Sequence, residues 1–357
     1  MSEETGLLDR MMADMEGAEA RFRPTNFWSA IIPDILRGLR GEGFATFRRQ
    51  GASAMAYSGT YGHARYHAAR AQGVSTFKSE DMLRMFQEKG AAGLLDGYVE
   101  AYADWRIVQA GDRPELPPDI AGASESEIGR PPVHHRFEGR RYSQPFLTYL
   151  KMLVFLKRQV DTAPITRVLE LGGGYGSLGE IMLASPSRRY FYVDVDLPPI
   201  AAVATWYLRR LFGADAVADY AQTADMAEID LEALAGRYRA VVLCPWQLPR
   251  LRGRFELFVN AHSFGEMEPA VVESYAREIE RLVGPYLLMK NARTGKGKAG
   301  RPGEFGTLEP VTRESYLRAF SAFEPVAVDS RVFGSIYGDF HTGRFWESEV
   351  MVMRRKA

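Results

Sequence analysis

The sequence predicts an α/β protein with a doubly wound, mostly parallel sheet that follows a mainly helical N-terminal domain. From residue 165 onwards, short apolar runs alternate with amphipathic stretches of helical period, which is typical of βαβ units. Within this region, residues 166–176 (TRVLELGGGYG) place a buried strand directly before a glycine turn. Open α/β sheets build a ligand-binding crevice from such a strand and turn, so both observations predict the same fold class.

The predicted sheet is Rossmann-like, with parallel core strands and an antiparallel C-terminal edge. The core strands are expected at residues 167–171, 190–195, 240–243, 255–259 and 286–290. Helices are expected at residues 144–160, 199–212 and 269–283. Pro199 and Pro269 suit the first turn of the last two helices. Two further strand candidates, residues 325–329 and 349–353, are expected to pair antiparallel at the sheet edge.

The first 150 residues differ from the rest, and we predict two domains, residues 1–150 and residues 151–357. No strand alternation is visible before about residue 150. Helix-like apolar patterns cover residues 27–39, 82–86 and 94–107. Short helices are expected, because glycines interrupt the patterns at Gly41, Gly43, Gly51, Gly59 and Gly62. The proline-rich residues 111–132 predict a loop or linker. The N-terminal domain is the candidate substrate or lid domain.

Composition and charge narrow the classes of partner. The chain has 357 residues with 45 basic and 45 acidic side chains, so nothing suggests a nucleic-acid or membrane-surface partner. A single cysteine, Cys244, excludes an intrachain disulfide and fits a reducing compartment. The sequence has neither a signal-peptide pattern nor an apolar run long enough to span a bilayer. We expect a cytoplasmic protein, a possible homodimer, that acts on a small molecule.

The glycine turn fits two kinds of cofactor. Residues 174–179 satisfy G-x-G-x-x-G, the fingerprint of a dinucleotide such as NAD, and acidic residues follow about 20 positions later. That fingerprint places its first glycine at the strand end, and counting from Gly172 puts Ser177 at the third glycine position. Glu170 also fits badly beside a pyrophosphate, because like charges repel. These points disfavour NAD.

S-adenosylmethionine (SAM) makes different demands on the turn. It carries an ammonium group and a sulfonium centre and has no phosphate, so the acidic Glu170 at the strand end favours its binding. The next strand ends in Asp194 and Asp196. An ionised carboxylate there can accept hydrogen bonds from both ribose hydroxyls. The residues therefore favour SAM over NAD.

Several segments together resemble class I SAM-dependent methyltransferases. The E-x-G-x-G-x-G pattern of residues 170–176 resembles their motif I, and Asp196-Leu-Pro resembles a segment that binds the ribose in many small-molecule O-methyltransferases. Residues 243–248 (LCPWQL) and 255–267 (FELFVNAHSFGEM) are similar to the sugar O-methyltransferase family of bacterial polysaccharide and natural-product gene clusters. The likeness is strong over residues 165–292 and weaker before residue 150.

This resemblance implies a SAM-binding domain and the ligands of its cofactor. The implied cofactor-binding residues are Glu170, Gly172, Gly174, Gly176, Asp196, Trp246, Gln247 and Asn260. Asp196 is the implied ribose ligand, and Asp194 is the alternative. Trp246 and Gln247 are implied to stack on the adenine and to donate a hydrogen bond to it. Asn260 is expected to bind the cofactor or the substrate.

His262 is the candidate general base, with Glu266 as its orienter or as a substrate ligand. His262 follows the fourth core strand, and ligands of open α/β sheets bind beyond the carboxyl ends of the strands. An alcohol is a poor nucleophile at neutral pH, and a histidine can take its proton during in-line methyl transfer. The competing structural interpretation is a helix capping box formed by Ser263 and Glu266.

Other functions stay open at this point. An enzyme could consume SAM without methyl transfer, by cyclisation or lyase chemistry that releases methylthioadenosine. Aromatic residues could close such a pocket by cation–π contact with the sulfonium, namely Trp28, Tyr57, Tyr61, Tyr66 and Trp105. A binding module without catalysis is the third alternative. Ligands for Mg²⁺ could come from Asp194, Asp196, His262 and Glu266, but no spacing demands a metal, and none is expected. The basic, glycine-rich residues 295–306 are either a solvated loop or a functional one, as a lid or as a contact for a phosphorylated substrate.

Overall fold

The protein is built around one large mixed sheet, described by a computed structural model over residues 3–50, 98–339 and 344–357. The strands of the described residues are β1 (His135–Phe137), β2 (Arg140–Tyr142), β3 (Arg167–Leu171), β4 (Phe191–Val195), β5 (Val217–Ala218), β6 (Ile229–Asp230), β7 (Ala240–Leu243), β8 (Leu251–Arg252), β9 (Phe255–Ala261), β10 (Val283–Ala292), β11 (Phe323–Asp329), β12 (Ser335–Asp339) and β13 (Arg344–Arg355).

Helices connect the strands and precede them. The helices of the same ranges are α1 (Glu3–Gly17), α2 (Asn26–Glu42), α3 (Tyr98–Gly111), α4 (Gln144–Gln159), α5 (Ser177–Ala184), α6 (Pro198–Phe212), α7 (Tyr220–Thr223), α8 (Leu231–Arg237), α9 (Pro269–Leu282) and α10 (Arg313–Ala319). None of these helices is long and apolar enough to cross a membrane.

The strand order of the large sheet is β11-β13-β10-β9-β3-β4-β7-β5, with β12 paired to β13. Strands β10, β9, β3, β4, β7 and β5 are mutually parallel. Strand β13 runs antiparallel to β10, β11 and β12. The predicted doubly wound sheet with an antiparallel C-terminal edge is therefore confirmed. From β3 the chain first adds β4 and β7 on one side of the sheet and later adds β9 and β10 on the other side. The boundary between β3 and β9 is therefore a topological switch point, and open α/β sheets bind ligands in the crevice at such a point.

Helices cover both faces of this sheet. One apolar cluster joins the sheet to α4, α5 and α6, and it also includes Leu8 and Ile35 from the N-terminal helices. The other cluster joins the opposite face to α8, α9 and α10. Every residue of β4 is buried, as expected for a parallel strand that is covered on both sides. The N-terminal helices thus share a core with the sheet, and α4 runs across residue 150, so the two-domain division stays a prediction.

The N-terminal region is mainly helical, as predicted, but the predicted interruption at Gly41 is wrong. Helix α2 is 17 residues long and continues through Gly41; it ends at Glu42, and Gly43, which adopts φ +78°, follows it as the C-cap. The region also contains a small antiparallel hairpin formed by β1 and β2. Glu138 and Gly139 connect them with φ of +48° and +78°, the two positive values of a type I′ turn. Strands of three residues are too short to produce a readable alternation. Residues 82–86 and three of the predicted interrupting glycines lie outside the described residues.

Candidate functional site

The glycine turn lies at the switch point of the sheet. Gly172, Gly174 and Gly176 all have positive φ, and α5 begins directly after Gly176. A Cβ on Gly172 would lie 2.3 Å from the Ser263 hydroxyl oxygen, so the turn after β3 passes directly over the turn after β9. Only glycine combines that backbone conformation with that close approach. The turn lines the crevice between the two halves of the sheet with backbone rather than side chains.

Glu170 lies fully buried beneath this turn. Its Oε1 accepts a hydrogen bond from the Tyr149 hydroxyl at 2.6 Å, and its Oε2 accepts one from the Tyr192 hydroxyl at 2.5 Å. Burial raises the pKa of Glu170 to about 7, in spite of these two donors. Both tyrosines come from elements that flank β3, namely α4 and β4. Both carboxylate oxygens of Glu170 are therefore engaged by tyrosine hydroxyls, and its contact with a cofactor stays a prediction.

Asp194 and Asp196 continue this acidic cluster at the end of β4. Asp194 Oδ1 accepts a hydrogen bond from the Gly173 N–H at 3.2 Å, while its buried Oδ2 has no hydrogen-bond partner among the described residues. The oxygens of Asp196 accept bonds from the N–H groups of Gly174 at 3.0 Å and Leu197 at 2.7 Å. A carboxylate has about four acceptor positions, so Asp196 can still accept bonds from a ligand.

The acidic cluster of Glu170, Asp194 and Asp196 concentrates negative charge without a compensating cation. None of the three makes an ion pair with any side chain of the described ranges. Burial and the negative charges of Glu266 and Glu170 together raise the pKa of Asp196 to about 8. Burial and the charge of Asp196 hold the pKa of Asp194 well above its usual range. Such a cluster favours a ligand that brings positive charge, because the cation would stabilise the ionised carboxylates.

Asn260 fastens the end of β9 to the end of β3. Its Nδ2 donates to the Leu171 carbonyl at 2.9 Å and to the Ser263 hydroxyl, and its Oδ1 accepts from Asn291 Nδ2 at 2.9 Å. The Ser263 hydroxyl also donates to the Leu171 carbonyl, at 3.1 Å. These bonds shape the floor of the crevice. The predicted role of Asn260 as a cofactor or substrate ligand stays a prediction, since its amide is already engaged.

His262 stands at the carboxyl end of β9 in a strained conformation. Its φ of +69° and ψ of −26° are left-handed, a backbone region that non-glycine residues adopt rarely. Its N–H donates to the Lys290 carbonyl of β10 at 2.7 Å. Burial, together with the nearby ammonium groups of Lys290 and Lys296, holds the pKa of the imidazole well below its usual range. The ring is therefore neutral at physiological pH, which is the form that can accept a proton.

Glu266 does not orient His262 in this structure. Its Oε2 accepts a hydrogen bond from the Trp28 indole at 3.1 Å, and its Oε1 forms an ion pair with Lys296. The competing capping-box interpretation does not hold, because the 3₁₀ turn Ser263–Glu266 begins after His262 and the Ser263 hydroxyl donates to the Leu171 carbonyl instead. Glu266 thus joins α2, the turn after β9 and the loop of residues 295–306, and its role as a substrate ligand stays a prediction.

The loop of residues 295–306 is held against the start of α2. The Asn26 amide donates to the carbonyls of Glu304 and Gly306, both at 2.8 Å, and accepts from the Gly303 N–H at 2.7 Å. The rings of Phe27 and Phe305 lie 4.7 Å apart, and the Lys296 ammonium lies 4.8 Å from the Phe27 ring centre. The loop is therefore anchored to α2 through both backbone and ring contacts, and its role as a lid or as a phosphate contact stays a prediction.

Trp246 and Gln247 follow β7, as the adenine-side prediction requires, but both have protein partners. The Trp246 indole donates to the Tyr220 hydroxyl at 3.0 Å. Gln247 is buried, its Oε1 accepts from the Cys244 N–H at 2.8 Å, and its Nε2 donates to Thr223 Oγ1 at 2.9 Å. An adenine contact stays a prediction for both, and Gln247 would have to exchange one of these bonds to make it.

Sequence reasoning missed the residues that serve this site from a distance. None of these residues, Tyr149, Tyr192 and Lys296, belongs to a recognisable sequence motif. The sequence marks them only as polar groups within otherwise apolar or glycine-rich stretches. Of the aromatic residues proposed to enclose a sulfonium, Trp28 reaches the site and Trp105 packs on Phe137, with ring centres 5.2 Å apart. The other three lie outside the described residues. Among described side chains, no group of three or more His, Cys, Asp or Glu residues could hold a metal ion.

Comparisons with known proteins give similarities to methyltransferase structures. No protein-family model and no curated protein sequence matches the chain. Among solved structures, it is similar to magnesium protoporphyrin IX methyltransferase (ChlM) from Synechocystis PCC 6803 with bound SAH, at 11% identity over 59% of this chain and 84% of that chain, with TM-score 0.37. It is similar to the mitomycin 7-O-methyltransferase MmcR at 15% identity, over 60% of this chain and 58% of that chain, with TM-score 0.36. TehB from Haemophilus influenzae is similar at 12% identity, over 57% of this chain and 61% of that chain, with TM-score 0.36. At these identities and TM-scores, the fold assignment comes from the strand order and register of the chain itself.

Proposed function

We propose that the chain is a SAM-dependent methyltransferase that acts on a hydroxyl of a sugar or another small natural-product molecule. The observation that carries this proposal is the acidic cluster at the carboxyl ends of β3 and β4. Three buried carboxylates surround a glycine turn there, and no described cation pairs with them. A ligand that carries an ammonium group and a sulfonium, with no phosphate, supplies the missing positive charge. A pyrophosphate would increase the repulsion.

The residues present fit SAM in distinct ways. The glycine turn leaves room for close approach of the ligand to the backbone, and Asp196 keeps acceptor positions for the ribose hydroxyls. Asp194 and Glu170 are buried carboxyls beneath the turn with raised pKa values, and a bound cation would favour their ionised forms. When bound, SAM supplies a methyl group that is activated by the sulfonium. The chain's own contribution is to position this group, to balance its charge and to exclude water from the crevice.

His262 is the residue we assign to proton acceptance. It lies at the carboxyl end of β9, beside the turn that Gly172 passes over, and its ring is neutral. Holding a histidine in a left-handed conformation costs about 1–3 kcal/mol, a strain that clusters at functional sites. In this role, the Nδ1 or Nε2 lone pair accepts the proton of the acceptor hydroxyl as its oxygen takes the methyl group.

The acceptor class is supported by the motifs and by the surroundings of Glu266. Residues 243–248 and 255–267 resemble the sugar O-methyltransferase family. Near His262, the Trp28 indole, the Glu266 carboxylate and the Lys296 ammonium meet in one cluster. An aromatic face with adjacent donors and acceptors suits a polyhydroxylated ring, since each hydroxyl both donates and accepts hydrogen bonds.

Mass spectrometry of the purified protein incubated with SAM alone tests this function. We expect SAM to remain unconverted without an acceptor, and S-adenosylhomocysteine to form only when acceptor sugars are added. Methylthioadenosine formed at enzymatic rates in the absence of an acceptor would contradict methyl transfer, and it would favour the cyclase or lyase alternative. Spontaneous breakdown of SAM is measured in two controls, SAM incubated without protein and SAM incubated with the denatured protein.

SAM binding is expected to release protons below about pH 8. The pKa of Asp196 is raised to about 8 and that of Glu170 to about 7, so both carboxyls are partly protonated at neutral pH. A bound cation favours the ionised forms, so the apparent affinity should increase with pH, by up to about tenfold per unit for each proton, and level off above the higher pKa. Calorimetry in two buffers of different ionisation enthalpy counts these protons. An affinity that is constant between about pH 6 and pH 9 would rule out this coupling.

A further inference from the structure

A buried ion pair lies directly behind the glycine turn. Arg48 and Glu125 are both fully buried, and Arg48 Nη2 lies 2.7 Å from Glu125 Oε1. Arg48 belongs to the 3₁₀ turn Phe44–Arg49, and Glu125 belongs to the proline-rich loop that follows α3. Burial alone would raise the pKa of Glu125, but the guanidinium of Arg48 and the other donors around it lower this pKa to about 2. The pair is therefore charged at every pH at which the protein works.

Glu125 connects four segments of the chain. Besides Arg48, it accepts hydrogen bonds from the Ser143 N–H at 2.7 Å, at the start of α4, and from the Tyr175 hydroxyl at 2.6 Å. The second carboxylate oxygen of Glu125, Oε2, lies 3.1 Å from His134 Nε2. Burying a carboxylate during folding costs desolvation free energy, and the hydrogen bonds and the ion pair of Glu125 offset that cost only when its partners are in these positions. The position of Glu125 is therefore strongly determined.

Tyr175 links this pair to the cofactor turn. It stands between Gly174 and Gly176, whose positive φ values give the turn few constraints of its own. The Arg48 guanidinium lies 4.5 Å from the centre of the Tyr175 ring, and the Phe47 ring lies 5.7 Å from it. Tyr175 is 2% exposed, so its side chain points away from solvent and into this contact.

We propose that Tyr175, held by the Arg48–Glu125 ion pair, is a positioning residue that fixes the glycine turn in the conformation that binds the cofactor. This inference rests on the proposed function for the identity of the ligand, SAM. Glycines make a turn permissive, and ordering such a turn on binding costs conformational entropy. The hydrogen bond from the Tyr175 hydroxyl to the buried Glu125 carboxylate forms during folding. The turn is therefore already ordered before the ligand binds, and binding loses less conformational entropy.

The test is the Tyr175→Phe variant. It removes one hydroxyl, while Glu125 keeps Arg48 and the Ser143 N–H as partners, so the variant is expected to fold. Loss of a hydrogen bond to a charged group should weaken SAM binding by about tenfold. It should also speed amide hydrogen exchange in residues 172–178. Both are compared with the wild-type protein by calorimetry and by exchange mass spectrometry, with the melting temperature as the measure of folding.

Tyr207→Phe is the matched control. Tyr207 is also buried and also donates to a buried carboxylate, Glu180 Oε2 at 2.6 Å, and its ring packs against Tyr175, but it lies on α6 outside the turn. If Tyr175→Phe binds and exchanges like wild type, or if both variants weaken equally, the inference is overturned. If the wild-type protein binds no SAM, the proposed function fails, and the exchange comparison alone then decides whether Tyr175 orders the turn.

Discussion

Replacing Asp196 with asparagine is expected to weaken SAM binding by about 100-fold or more while the protein stays folded. Two hydrogen bonds from ribose hydroxyls to a charged acceptor contribute about 1.5–3 kcal/mol each, and about 1.4 kcal/mol corresponds to a tenfold change in affinity. Asparagine has nearly the same shape and keeps a carbonyl oxygen for the Gly174 or Leu197 N–H. The other backbone N–H loses its acceptor, so the melting temperature should decrease modestly, by the equivalent of about 1–3 kcal/mol.

A cofactor role and a structural role of Asp196 give different SAM affinities in this experiment. Asp230→Asn is the control, because Asp230 is exposed and caps α8 through the Glu232 N–H at 2.9 Å, a role that asparagine fills equally well. Calorimetric titration gives the affinity of each variant. An Asp196→Asn protein that melts lower but binds SAM like wild type would mean that Asp196 only supports the turn.

The His262→Asn variant is expected to reduce kcat by about 10²–10⁴-fold, the usual contribution of a general base, with SAM affinity nearly unchanged. Asparagine is chosen because it tolerates the left-handed backbone at this position better than alanine does. The wild-type rate should stay high down to pH values below about 6.5, since burial and two nearby ammonium groups hold the pKa of His262 below the ordinary histidine value.

The pH profile separates a base from a structural histidine. With His262 as the base, the rate decreases at acid pH as the ring is protonated, and the His262→Asn variant loses this limb of the profile. His135→Asn is the control, because His135 belongs to β1 of the small hairpin, which is separate from the large sheet. Steady-state kinetics with an identified acceptor would measure both. Equal kcat in wild type and His262→Asn would exclude the assigned role.

The crevice could be predicted from the sequence because its determinants are local. A buried run followed by Gly172, Gly174 and Gly176 allows essentially one arrangement, and the carboxylate at the end of the next strand falls beside it through the parallel register of β3 and β4. The antiparallel pairing of the last strands, β11 and β13, could be predicted for the same reason. The sequence does not predict β5, which has only two residues, or β12, which is stabilised by its pairing with β13 and not by an alternating apolar pattern.

The partners of the site residues could not be predicted, because they depend on tertiary contacts. Glu266 has a capping-box spacing from Ser263, but the long-range bonds to Trp28 and Lys296 are made instead. Glu125 lies in a stretch that reads as a linker, yet it is fully buried against Arg48. A motif defined by residue spacing predicts only contacts between residues that are close in sequence. The contacts of Glu266 and Glu125 depend instead on how the N-terminal segments pack on the sheet.

Calorimetric titration of the wild-type protein with SAM at pH 8 tests the assignment of the acidic cluster most directly. We expect one saturable site per chain, with fewer protons released than at pH 7, because about half of Asp196 is already ionised at pH 8. The absence of saturable binding would contradict the assignment of this crevice to a sulfonium cofactor.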